Sequence, residues 1–169
     1  MQVSETANSS LTDGVLQRCA RLALLVAGTA LVSLAAVQAW QVIARYLLND
    51  SPGWTEPLAL LLLNTAMSLG AAAAVHQRAH FGFPLLVHMS PPKVRRALEA
   101  FSSLVVLALG SVLAIGGVTL LFDGWGVRMA GTVLPQGLMF LPLTLGGTLM
   151  ALFALAELVT PRSAAAEPR

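Results

Sequence analysis

The chain has 169 residues, of which 56% are hydrophobic and only 11% charged, and its mean hydropathy is +0.76. Soluble domains carry roughly 25% charged residues, so this balance excludes an ordinary soluble domain and points to the membrane class. The net charge of +2 comes without any basic stripe interleaved with aromatics, which excludes a nucleic-acid partner; the single cysteine, Cys19, excludes an intramolecular disulfide.

A polar lead-in, residues 1–14, reads as a loose tail. Arg18 and Arg21 then introduce an apolar run over 22–43. A bilayer core of about 30 Å takes roughly 20 helical residues, so this run is long enough to span. It is also too long for the apolar segment of a secretory signal peptide. A short polar break, Arg45 to Gly53, leads to a second span over 54–75, with Ser51-Pro52 as a cap-then-proline start. So short a link makes the first two helices antiparallel neighbours.

The connection from His76 to Arg96 is the longest. Its middle, Phe81 to Met89, is too short to cross but apolar enough to lie in the membrane interface as a short segment. Ser90-Pro91 repeats the start signal, and the third span covers 97–122. Asp123 to Thr132 is a second polar break with Trp125 and Arg128, and the fourth span covers 134–159. Pro142 inside it removes a backbone donor and predicts a kink. Residues 161–169 close the chain as a tail.

In lipid only helices or closed barrels satisfy their own backbone, and long unbroken apolar runs are not barrel strands. The fold class is therefore an all-α membrane protein, one domain of four transmembrane helices. Of the ten Lys and Arg residues, eight flank the termini and the long loop, and only Arg45 and Arg128 lie on the other side. The positive-inside bias puts both termini in the cytoplasm.

An ionisable group in the middle of a span marks function by default, and this chain has none: Glu56, Glu99 and Glu157 all lie near span ends. His76, His80 and His88 all fall in the long loop, so the spans carry no haem ligands, and two histidines four apart are too few for a metal site. No nucleophile triad, phosphate loop or paired carboxylate is visible. The sequence implies neither catalysis nor a cofactor. It does carry contact surfaces. Ala66-Gly70-Ala74, Gly110 with Ala114, and Gly147 with Ala151 are ladders of small residues that let helix backbones approach. They serve either the chain's own packing or a partner subunit. Asn64 and Ser68 lie four apart on the second helix and can hydrogen-bond across it. Arg45 and Glu56 flank the first break with charges suited to their helix ends, and are expected to pair across it.

These residues carry a family likeness. Arg45-Tyr46, then Asn49, Ser51 and Trp54-Thr55-Glu56, resembles the outer loop of the small membrane subunit of tripartite ATP-independent periplasmic (TRAP) transporters, the DctQ-like family. Gly70 to Val75 followed by His80 is similar to that family's second-helix end and loop histidine, and Leu141-Pro142-Leu143 to its final-helix proline. The likeness extends over about Val37 to Ala156. It departs at Pro57, where the family commonly has a second Glu, and at Phe83-Pro84, where a Val-Asp-like pair is common.

The resemblance implies a bacterial inner-membrane subunit without enzymatic activity. Its implied partners are a large DctM-like permease, which moves an organic acid inward with sodium ions, and a periplasmic DctP-like solute-binding protein. It implies that Arg45, Tyr46, Trp54 and Glu56 orient the outer loop, that Asn64 and Gly70 lie on a contact helix, and that His80 marks the cytoplasmic loop. The substrate stays open among C4-dicarboxylates, keto acids, sugar acids and sialic acids. Two other classes fit parts of the pattern: a stand-alone homo-oligomeric exporter, which lacks the expected buried carboxylate here, and the membrane anchor of an oxidoreductase, which lacks histidines in its spans.

The charge count makes a direct prediction. A reporter active only in the cytoplasm should be active when fused after Arg169 and inactive when inserted near Arg128; the reverse pattern would overturn the orientation.

Overall fold

The computed structural model describes residues 2–50, 52–77 and 92–159. Ser51, His80, His88, the interfacial segment over 81–89, Ser90-Pro91 and the tail over 161–169 lie outside the described residues. Among the described residues the regular structure is helical: α1 (Gln2–Leu47), α2 (Thr55–His76), α3 (Pro92–Asp123), a short 3-10 turn (Gln136–Phe140) and α4 (Leu141–Val159). Four of these segments are long and apolar enough to cross a membrane: Gly14–Leu47, Thr55–His76, Ala100–Asp123 and Gln136–Val159.

The prolines explain where helices start. Pro57, Pro92 and Pro142 are the third, first and second residues of α2, α3 and α4. The first turn of a helix has no internal partner for its N–H groups, so a residue without one costs nothing at Pro57 or Pro92; at Pro142 the preceding 3-10 turn does present an acceptor, which the proline leaves open. Two expectations change accordingly. The second helix starts at Thr55, with Trp54 as its cap, and not at Pro52. Pro142 does not kink a continuous helix; it opens α4 immediately after the 3-10 turn, so the fourth span is built of two pieces. At the other end of the chain, α1 reaches upstream through the polar lead-in to Gln2. No proline interrupts it, and helix propagation from an established apolar stretch is far easier than nucleation.

The helices form a row. α1 packs on α2, α2 on α4, and α4 on α3, with no comparable contact between α1 and α3, α1 and α4, or α2 and α3. The order in space is therefore α1-α2-α4-α3. The long connection after α2 gives the chain the length to leave a place between α2 and α3, which α4 fills. Burial follows this order. In the most apolar stretch of each span, 33% of residues are buried in the two central helices and 17% in the two outer ones.

Small residues make the seams. On α1 they are Ala20, Ala23, Ala27 and Ala30, all buried; a Cβ on Gly70 of α2 would sit 3.9 Å from Ala27, an ordinary contact. The α3-α4 seam is tighter. A Cβ on Gly110 would meet the Ala151 amide nitrogen at 2.8 Å and the Gly147 carbonyl at 3.0 Å, and one on Gly147 would meet the Ala114 amide nitrogen at 2.6 Å. The two ladders of the sequence thus pack on each other. Between α2 and α4, Gly146 lies against Ser68 just as closely. At the end carrying His76, Ala72 and Val75 of α2 join Met150 and Phe153 of α4, with Val106 of α3 and Ala20 of α1 reaching onto them.

Gly147→Val should therefore force α3 and α4 apart. Overpacking of this kind costs about 1–3 kcal/mol, read as a lower unfolding temperature in detergent, whereas Gly28→Ala, which meets nothing within 4 Å and gains helix propensity, should not lower it.

Candidate functional site

The connections α1-α2 and α3-α4 lie together at one end of the row, the hairpin end, and most of the singled-out residues gather there. The end of α1 is closed by Asn49, whose φ of 51° is left-handed, and by the Asp50 amide donating to the Ala44 carbonyl at 3.1 Å. Asn is among the few residues that tolerate that conformation at a helix terminus. On the far side of the turn, Thr55 is fully buried. Its amide and its hydroxyl both donate to the Pro52 carbonyl, at 3.3 and 2.8 Å. Thr55 thus pins the start of α2, a role the sequence reading did not give it; a Thr one residue after a Trp, three after a proline, was the available signal.

The second connection is a tight turn. Met129 donates its amide to Leu134, Gln136 donates to Val127, and Gly137 donates to Gly124 at 3.0 Å. Gly131 has a φ of 78°, and a Cβ on Gly53 would lie 3.3 Å from its Cα. Backbone meets backbone there, so the two connections pack into one surface. Between them lies an apolar cleft of about 130 Å³, walled by Trp54, Pro57, Leu58 and Leu61 of the α2 side and by Met129 and Leu134 of the second connection. Pro57, the departure from the family pattern, is buried in that wall, where a carboxylate would have been costly without a partner.

Arg45, Tyr46, Trp54 and Glu56 all surround this end and all are exposed. Arg45 and Glu56 do not form the expected ion pair. An exposed pair gains at most about 1 kcal/mol against hydration and side-chain entropy, which explains why neither side chain is held.

Asn64 has a different place. Half-buried on α2, it donates its amide nitrogen to the Met139 carbonyl of the 3-10 turn, 75 residues away in sequence. In the 3-10 pattern that carbonyl faces the position of the Pro142 nitrogen, which carries no hydrogen. Asn64 supplies the donor that Pro142 lacks. Ser68 closes the arrangement from one turn below, donating to the Asn64 carbonyl at 2.6 Å with the Asn64 side-chain oxygen 3.1 Å away. The Asn64-Ser68 pairing expected from spacing is formed, but its purpose is to lock α2 to the broken start of α4. Gly70 lies on the α1-α2 seam. His80 is outside the described residues. His76 packs against Phe153 with the rings tilted by 46° and their centres 4.8 Å apart, at the opposite end of the row. Among the described residues no group of three potential metal ligands comes together.

Comparison with known proteins decides what this arrangement belongs to. Residues 34–163 match the sequence model of the family described as tripartite ATP-independent periplasmic transporters, DctQ component. The chain belongs to this family. It is similar to the sialic acid TRAP transporter small permease protein SiaQ of Vibrio cholerae, with 32% identity over 87 residues, 51% of this chain and 50% of the relative. The matched segment thus spans about half the relative's length. Family membership, with four helices long and apolar enough to cross, makes the chain a multi-pass inner-membrane component of a TRAP transporter and not an enzyme.

The Asn64 lock gives a testable prediction. Asn64→Leu, close in volume, should lower the unfolding temperature of the detergent-solubilised protein by the equivalent of about 1 kcal/mol. Asn64→Leu with Pro142→Ala should recover part of that loss, because the backbone then supplies its own donor.

Proposed function

We propose that the chain is the small membrane subunit of a TRAP transporter, a helical scaffold on which a large permease subunit carries out sodium-coupled uptake of an organic acid delivered by a periplasmic binding protein. The observation that carries this reading is the row of helices one layer thick. Packed domains close their apolar faces in at least two layers. Here no span buries more than a third of its most apolar stretch, so most of the apolar surface is left for lipid and for another subunit. A transport path of its own would need polar groups lining a cavity within the spans; the ionisable residues lie at helix ends instead.

In this reading both termini are cytoplasmic, as the distribution of Lys and Arg favours, and the hairpin end faces the periplasm. Arg45, Tyr46, Trp54 and Glu56, exposed around the two joined connections, orient the outer surface toward the binding protein. Asn64 and Gly70 hold the scaffold itself in shape, and His80 belongs to the cytoplasmic loop. The name of the Vibrio cholerae relative mentions sialic acid; for this chain the class carried forward is organic acids, since specificity resides in the binding protein and the large subunit.

The test is a pull-down of the tagged chain from mild-detergent membranes, paired with uptake assays. One large multi-span permease should be recovered in about equal amount, and Arg45→Ala or Glu56→Ala should reduce uptake at normal membrane levels. Recovery of the chain alone as a stable homo-oligomer, active in vesicles by itself, would replace this reading with that of a stand-alone exporter.

A further inference from the structure

The two edges of the row differ in chemistry. The α3 edge is largely apolar: Phe101, Val105, Val112, Ile115 and Phe122 are all exposed, and two hydroxyls in its outer half are satisfied within the helix, Ser111 on the Leu107 carbonyl and Thr119 on the Gly116 carbonyl. Such an edge can face lipid at no cost. The α1 edge is not of this kind. Gln38, Val42 and Arg45 share one exposed stripe, with Gln41 half-buried beside it. None of these three polar side chains makes a hydrogen bond or ion pair within the described residues.

Depth makes Gln38 the decisive residue. At 1.5 Å per residue, Arg21 and Arg45 stand about 36 Å apart along α1, so a 30 Å hydrocarbon layer fits between them. Gln38 then lies about 10 Å below Arg45, inside the hydrocarbon and short of the headgroups. A carboxamide facing hydrocarbon with its donors and acceptor unused is unfavourable, and such groups in membrane helices find hydrogen-bond partners on neighbouring helices.

We infer, building on the function proposed above, that the α1 edge is the surface on which the large permease subunit docks, and that the α3 edge faces lipid. The occupant is a transmembrane helix of the permease with a hydrogen-bonding side chain level with Gln38 and an acidic or carbonyl group level with Arg45. Headgroup phosphates can satisfy Arg45 and Gln41, but they do not reach Gln38.

The experiment places a photo-crosslinking residue singly at Gln38 or Val42 on α1, and at Val112 or Ile115 on α3, in the full chain co-expressed with its operon's permease. Adducts to the permease are expected from positions 38 and 42 and not from 112 and 115. In addition, Gln38→Leu should lower the permease recovered after detergent washing about threefold, with Gln38→Asn retaining more. Adducts from 112 and 115 alone, or no protein adduct at 38 and 42 while the permease still co-purifies, would overturn the edge assignment and leave the function standing. Failure to recover any permease would overturn both.

Discussion

Everything in this fold depends on how closely α3 and α4 approach. Where Gly110 faces Ala151 and Gly147 faces Ala114, one helix's backbone fills the space a side chain would occupy on the other. In lipid there is no hydrophobic gain from bringing two apolar helices together; what remains is dispersion at short range and the polar contacts that close approach permits. Glycine and alanine maximise both. The same economy appears at the other seams, with Ala27 against Gly70 and Ser68 against Gly146. A row of helices joined by small-residue seams needs no thick core, and it leaves its large side chains pointing outward.

That arrangement gives a physical meaning to the break before α4. Pro142 ends a 3-10 turn and starts a helix, leaving the Met139 carbonyl without its backbone donor. An unpaired carbonyl in a membrane protein must find a partner. Asn64 provides it from the neighbouring helix, so one hydrogen bond ties the central pair of the row together close to the hairpin end. The two connections at that end are joined again at Gly53 and Gly131. Both ties lie at the hairpin end, where they hold the central pair and the two connections together.

Much of this was legible in the residues. Four apolar runs, their lengths and the absence of a mid-span charge are properties of composition, and the likeness from Arg45 to Glu56 pointed to the family that the comparison then established. The Asn64-Ser68 spacing announced a hydrogen bond because residues four apart on a helix share a face. Its true acceptor was not legible: Met139 lies 75 residues further on, and no local pattern links the two. The expected Arg45-Glu56 pair failed for the opposite reason. Opposite charges near each other in sequence suggest a contact, but in water such a contact has little to hold it. Thr55 enters the likeness only as part of Trp54-Thr55-Glu56; its structural role is not legible there, because a lone threonine beside tryptophan looks like any other loop residue until its hydroxyl is seen on Pro52.

By itself, the sequence determined the solvent this protein lives in and the helices it must therefore form, because hydrocarbon forces each apolar run of about 20 residues to satisfy its own backbone. Only the tertiary structure decided the order α1-α2-α4-α3 and which small-residue ladder meets which. Ladders of glycine and alanine are nearly interchangeable in sequence. Their pairing is selected by backbone fit over the whole length of two helices, and by a single cross-chain donor for the carbonyl that Pro142 leaves open.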